Sequence, residues 1–309
     1  MTRTAMGILA LLFVIIGVML ACCFWPKKSE EQKKETKPSA ALNSKGEVIE
    51  IETEIPTEPI EPSTPEQPVE VVEPEQPVEP APAPAPPAKV EWIPGQHRDP
   101  NQIVVVIDPG HQLRGNSTKE PNGPNSTVMK ARVTSGTTGK FTGVPEYILN
   151  LDIGLKLKTE LENRGYTVHM TRSVHEVDIS NMERAQYASS VGADIAVRIH
   201  ANGSTNPSVK GALTMTPSAS NPYVSHLANA SYSLSKKVID AYCAATGFEN
   251  DGVLASDTMT GMNWSEVPVT IVEMGYMSNE SDDRAMQDAT MQNNMVQGIA
   301  NGIDAYFGL

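Results

Sequence analysis

The sequence predicts an α/β fold, and three observations carry that prediction. Residues 103–107, Ile-Val-Val-Val-Ile, are β-branched throughout and show no polar alternation, the pattern of a strand buried on both faces of a sheet. From there to Leu309, strand-like runs alternate with segments of helical period. Outside Cys22 and Cys23 the only cysteine is Cys243, so no disulfide framework holds this part together and a sizeable apolar core must do so.

Composition divides the chain before any motif is read. Residues 5–25 form an uncharged apolar run, long enough at roughly 20 residues to cross a bilayer as a helix. This makes residues 1–25 a membrane anchor or a signal segment. Arg3 ahead of it resembles a short positive n-region, whereas Lys27 and Lys28 beyond it blur the charge asymmetry that would set orientation. Cys22 and Cys23, after Leu20 and Ala21, imperfectly resemble a lipoprotein cleavage site, and the alternatives of lipid anchor and transmembrane helix both stand. Residues 26–97 are rich in Pro and Glu, repeat Glu-Gln-Pro-Val-Glu at 66–70 and 75–79, and carry most of the net charge of −13. Such a segment is expected to be a disordered, extended spacer, a tether able to hold a domain away from a membrane. The remaining domain, residues 98–309, is only mildly acidic and has no basic surface signature of nucleic-acid binding.

Within that domain the elements follow in order. The strand at 103–107 is stopped by Pro109 and Gly110. Residues 112–143 are rich in Gly, Ser, Thr and Asn without helical period and read as a long loop or hairpin of the kind that rims a site. Residues 145–165 read as a helix, with Pro145 suited to its first turn and Gly165 to its end. A strand at 166–170, a short helix at 181–192 and a strand at 193–200 come next. A long helix at 221–247, a buried strand at 269–275 and a closing helix at 291–307 complete the pattern. Cys243 falls on the long helix as a small apolar residue.

Three strand ends in this reading carry His111, His200 and Glu273, and Glu146 opens a helix. Ligands in open α/β sheets bind at the carboxyl ends of the strands. Each residue alone has an ordinary explanation: a turn or strand-end polar group for the histidines, a carboxylate favoured by the helix dipole for Glu146. Together, His111, Glu146 and His200 make a two-histidine, one-glutamate set, one of the known ligand sets of catalytic zinc, which keeps an open position for water. No His-Glu-x-x-His, Gly-x-Ser-x-Gly or phosphate-binding Gly-x-x-x-x-Gly-Lys pattern occurs, which removes support for serine-hydrolase and nucleotide-dependent chemistry.

The blocks VVVIDPGHQ, PEYILNLDIGLKLKTELENRGYTVHMTR, MERAQYASSVGADIAVRIHANGS and PVTIVEMGYMSNESDDRAM resemble, in order, those of the zinc-dependent N-acetylmuramoyl-L-alanine amidases, bacterial cell-wall hydrolases of amidase type 3. The resemblance spans residues 102–308. It implies a single three-layer α/β domain with a central, mainly parallel or mixed sheet between helices. It also implies Zn2+ held by His111, Glu146 and His200, and Glu273 as the catalytic glutamate. The implied substrate is peptidoglycan, cut between N-acetylmuramic acid and the L-alanine of the stem peptide, by an exported protein tethered to the cytoplasmic membrane through its N-terminal segment.

Some features depart from the family pattern. The segment between His111 and Glu146 is longer than in compact members, Arg198 stands where a small or polar residue is expected, and no recognisable wall-binding repeat accompanies the domain. Arg172 and Asn202, beside the resembling blocks, are candidates for touching the anionic peptide or the sugar, or else a salt-bridging residue and a turn cap; Arg184 reads as structural. Two other readings stay open on sequence: a zinc endopeptidase or carboxypeptidase cutting within the stem peptide, and a non-catalytic wall-binding protein.

Overall fold

The computed structural model describes residues 99–309 and, separately, two short strands, β1 (Ala41–Leu42) and β2 (Val48–Ile49), which pair antiparallel inside the Pro/Glu-rich stretch. The apolar run at 5–25 and the rest of the spacer lie outside the described residues. Among the described residues no helix is long and apolar enough to cross a membrane.

The strand predicted at 103–107 becomes β3 (Val104–Pro109), and its lack of alternation has a direct cause. Val105 and Ile107 enter the larger core and Val106 the smaller one on the opposite face, so both faces need apolar side chains. There follow β4 (Asn116–Pro121), β5 (Met129–Val133), α1 (Glu146–Asn163), β6 (Thr167–Met170), α2 (Asn181–Ser190) and β7 (Ile195–Asn202). The second half comprises β8 (Ala212–Thr216), α3 (Ala228–Thr246), β9 (Asn250–Ala255), α4 (Thr260–Asn263), β10 (Val269–Tyr276), α5 (Glu280–Ala285) and α6 (Ala289–Phe307).

Six strands form one sheet in the order β6-β3-β7-β10-β8-β9. β6, β3, β7 and β10 run parallel, while β8 pairs antiparallel with β10 and parallel with β9. The expected α/β domain with a mainly parallel, mixed sheet is therefore the one observed. α1 and α3 pack on one face of the sheet with α6 against both, and α2 and α4 lie over the other. The segment 112–143 contains the β4–β5 hairpin, a small antiparallel sheet of its own.

Local chemistry explains where the elements start and stop. Ser180 and Glu183 close a reciprocal capping box on α2. The long helix expected at 221–247 begins only at Ala228, because the buried Asn221 side chain accepts hydrogen bonds from the Tyr223 and Val224 amides and holds that stretch as a turn. α3 and α6 end on Gly247 and Gly308, both with the positive φ that a left-handed cap requires. Strands β8 and β9 and the short helices α4 and α5 were not anticipated. β9 begins Asn-Asp-Gly and is mostly exposed, so it lacks apolar patterning and is fixed by pairing to β8.

The α3–α6 crossing depends on the absence of side chains. A Cβ at Gly302 would stand 2.4 Å from the Val238 Cα, and one at Gly298 2.7 Å from the Tyr242 Cα. Gly302→Ala should therefore destabilise the protein by about 1–3 kcal/mol through overpacking, more than the roughly 0.5–1 kcal/mol that alanine returns in helix propensity. The measurement is urea unfolding, where the midpoint should fall at unchanged slope; a raised midpoint would refute this account of the crossing.

Candidate metal centre

The site assembles where β3, β7 and β10 end and α1 begins. His111 follows β3 with φ 61°, a left-handed conformation uncommon outside glycine and frequent at functional sites. Arginine donors hold it there. Arg172 donates to the carbonyls of Pro109 and Gly110 at 2.8 and 3.0 Å, and Arg184 to those of Pro109 and His111 at 2.9 and 3.0 Å. The three carbonyls in succession are thus tied to buried guanidinium groups. Gly110 has to be glycine, since a Cβ there would stand 2.2 Å from the His200 ring.

Glu146, the first residue of α1, is buried. Its Oε1 lies 3.1 Å from His111 Nε2 and 3.3 Å from His200 Nδ1. The same oxygen accepts the Ala201 amide at 3.1 Å, and Oε2 accepts the Thr137 amide at 2.9 Å. One ligand-type atom from each of His111, Glu146 and His200 falls within 4.8 Å of the others. Gly136, at φ 83°, covers this group closely: a Cβ would meet Glu146 Oε2 at 2.6 Å and the His111 ring at 2.9 Å. Glu273 stands beside His200 in the parallel β7–β10 register, so both side chains emerge on one face. Its Oε2 is enclosed without a hydrogen-bond partner among the described residues.

The donor chemistry fits a divalent cation. His111 Nδ1 lies 2.9 Å from the Thr134 carbonyl, which only accepts, so that nitrogen carries the proton. The other His111 nitrogen, Nε2, points at Glu146 Oε1, so two ligand-type atoms converge on one place. Burial pushes His200 down to about 4, opposed by its contact with Glu146, which leaves a neutral imidazole near pH 7, and its Nε2 is buried without a partner among the described residues. Burial alone would raise the Glu146 carboxyl, but its hydrogen bonds to His111 and His200 outweigh burial and hold it well below the usual range. A neutral His200 beside an ionised Glu146 carboxylate is the protonation state that metal ligands need. Burial, and secondarily the charge of Glu146, push Glu273 up to about 8.

Behind the site, Asp108 ties the sheet to α2. Its carboxylate accepts from Arg184 Nη1 and Arg198 Nε, both at 2.7 Å, and from the Thr171 hydroxyl. All four residues are buried. Burial would raise the Asp108 carboxyl, but the two guanidinium groups hold it far below its ordinary value. Arg198, unexplained by sequence, is thus the second cation on Asp108 and also donates to Asn181 at 3.0 Å. Gly261 leaves room for it, since a Cβ there would lie 1.3 Å from Arg198 Nη1. Arg172 and Arg184 are scaffold residues. Asn202 lines the cleft while its Oδ1 accepts the Gly203 amide at 2.8 Å.

The structure adds residues that sequence did not single out: Thr134 on His111, Thr137 and Gly136 on Glu146, and Asn150, whose Nδ2 lies 3.3 Å from Glu146 Oε1. Asp283 is a further one. Fully buried on α5, it accepts the amides of Phe141 and Thr142 at 2.7 and 2.9 Å and the Thr142 hydroxyl at 2.7 Å, fixing the turn that leads into α1. Nothing in the spacing of Asp283 relative to His111 or Glu146 signals this contact.

The family model described as N-acetylmuramoyl-L-alanine amidase matches residues 105–305. The chain belongs to this amidase family. N-acetylmuramoyl-L-alanine amidase Rv3717 of Mycobacterium tuberculosis is 25% identical over 210 residues, covering 66% of this chain and 86% of that protein. N-acetylmuramoyl-L-alanine amidase LytC of Bacillus subtilis is 27% identical over 204 residues, and there the match spans 35% of the relative. The apo crystal structure of the amidase Ami1 from Mycobacterium abscessus superposes with a TM-score of 0.60 at 26% identity, covering 66% of this chain and 98% of that one. Ami1 from Mycobacterium smegmatis shares the fold with a TM-score of 0.62 at 24% identity, covering 68% of this chain and 99% of that one. The folded domain is accordingly a peptidoglycan amide hydrolase, cleaving between N-acetylmuramic acid and L-alanine.

Asp108→Asn is expected to lower the unfolding free energy of the amidase by about 3–5 kcal/mol at neutral pH, because it leaves buried guanidinium charge uncompensated. The folded carboxyl is depressed, so its contribution is present above the ordinary aspartate value of about 3.9 and is lost as pH falls through the lower folded value. Denaturation of both proteins should show a constant gap from about pH 6 to 8 that closes only in acid. A gap that closes on the alkaline side would contradict the assignment.

Proposed function

We propose that the amidase domain works as a zinc enzyme, with His111, Glu146 and His200 holding Zn2+ and Glu273 serving as general base and acid. The observation that carries this reading is the convergence of the three ligand-type side chains beside a carboxylate whose enclosed oxygen has no partner among the described residues. Zinc in such a site supplies Lewis acidity to the scissile carbonyl and acidifies water towards a pKa of about 7.

The remaining work falls to the chain itself. Thr134 fixes the His111 tautomer through Nδ1, leaving Nε2 as the ligating atom. The Thr137 and Ala201 amides and Asn150 orient the Glu146 carboxylate from three directions. Glu273, next to His200 in register, takes a proton from the attacking water at its carboxylate and returns it to the leaving amide nitrogen of L-alanine. Such proton transfer is worth typically about 10²–10⁴ in rate.

We further propose that the domain faces the cell exterior, tethered to the membrane through residues 5–25. That segment is apolar and uncharged, the Pro/Glu-rich stretch after it suits a tether, and the substrate lies outside the membrane.

Four outcomes test these readings. Metal analysis of His111→Ala and His200→Ala should show zinc lost from each, and full retention in both would overturn the ligand assignment. Glu273→Gln should keep its zinc and fold yet turn over muropeptides at least about a hundredfold more slowly; near-normal turnover would place the base elsewhere. Mass spectrometry of the products should show a free L-alanine amino terminus on intact glycan, which peptidase action would not give. For topology, protease added to wall-stripped cells should release the domain by cutting the spacer, and complete protection would reverse the orientation.

A further inference from the structure

Two arms of one cleft meet at His111, His200 and Glu273, and their linings differ in chemistry. The first, of about 530 Å³, continues past β7 along Asn202, Ser204, Thr205 and Ser278, with Thr137 opposite. Apart from the proposed metal and acid–base residues, it offers hydroxyls, an amide side chain and backbone, and no lysine or arginine. The second, of about 360 Å³, runs back between the sheet and the β4–β5 hairpin. Both volumes lie in the range of about 300–1,000 Å³ usual for ligand pockets.

The second arm is built differently. Arg198 and Ile271 form its floor, each two residues before a site residue on the same strand face, His200 and Glu273 respectively. Lys130 on β5, Thr258 and Met259 wall it. Lys130 Nζ donates to the Thr258 carbonyl at 2.7 Å, which anchors the ammonium and uses one of its three donors. Among the described residues no carboxylate pairs with Lys130, and Glu273 is the only acidic group lining this arm. Beneath it, Arg198 and Arg184 share the single carboxylate of Asp108, an excess of positive charge under the floor. The hairpin that carries Lys130 is itself fixed: Trp264 Nε1 donates to the Pro121 carbonyl at 2.9 Å and Arg132 pairs with Glu183 at 2.8 Å.

The scissile amide has a neutral sugar on its carbonyl side and, on its amine side, a peptide that begins with alanine and continues into an acidic residue. Resting on the amidase reading above, we infer that the glycan lies in the hydroxyl-lined arm and the stem peptide in the hairpin arm. There Met259 and Ile271 take the alanine methyl and Lys130 recognises the carboxylate of the second residue. Lys130 thereby selects for acidic over amidated stem peptides.

The test uses the zinc-loaded full chain and two substrates, N-acetylmuramoyl-L-alanyl-D-glutamate and its diamide. Lys130→Met should raise KM for the acid about tenfold with kcat within about twofold, the scale of one lost hydrogen bond to a charged group, and leave the diamide unchanged. Lys130→Glu should make the diamide the better substrate. Equal effects on both substrates, or none, would overturn the assignment. Calorimetric binding of the dipeptide L-alanyl-D-glutamate to the same variants gives an independent readout. Lys130-dependent binding without amide cleavage in the wild type keeps the subsite and refutes the activity, whereas cleavage with binding indifferent to Lys130 keeps the activity and refutes the subsite.

Discussion

The arrangement of this amidase depends on one buried carboxylate. Asp108, at the end of β3, is shared by Arg184 from α2 and Arg198 from β7, so a single charge fixes two strands and a helix relative to one another. Burying three charged groups is costly, and the cost is offset only because every group is paired and hydrogen-bonded. Arg184 also reaches past Asp108 to the carbonyls of Pro109 and His111. The backbone turn that presents His111 is therefore built from the same ion pairs that hold the layers together. A histidine at positive φ is strained locally and persists because its surroundings leave no alternative.

From that anchor the site follows by register. β3, β7 and β10 are neighbours and parallel, so their carboxyl ends lie side by side and bring His111, His200 and Glu273 together from positions far apart in the chain. Glu146 enters from across the cleft at the start of α1, where the helix dipole favours a carboxylate. The group so assembled brings ligand-type atoms of two imidazoles and a carboxylate within 4.8 Å of one another. His111 is committed to Thr134, and the Glu146 carboxylate, held ionised, faces its other nitrogen. This convergence of ligand-type atoms is the geometry on which the proposed zinc site rests.

The loops that complete the cleft are not free to move independently of the scaffold. Asp283 clamps the turn at 139–142, and the hairpin is tied to α2 and α4 through Glu183 and Trp264. Segments without regular patterning thus acquire fixed positions from buried polar contacts, as expected of functional loops carried on a rigid framework.

The sequence by itself determined the α/β class, the strands that line the site and all four residues that the structure gathers there. The reason is local: a doubly buried strand must be apolar throughout, helices must repeat with their period, and residues at strand ends in such sheets face the crevice. Only the tertiary structure decided the rest. β8 and β9 are specified by pairing, since the exposed, glycine-containing β9 has no pattern of its own. Asn221 replaced the first turn of the expected long helix by a side-chain-capped turn, a competition between two hydrogen-bonding arrangements that periodicity does not register. Arg198 was inexplicable while Asp108, 90 residues away in the chain, was not known to lie beside it. Gly136, Asp283 and Lys130 gain meaning from what stands opposite them in space, and contacts between distant parts of a chain leave no mark in local composition.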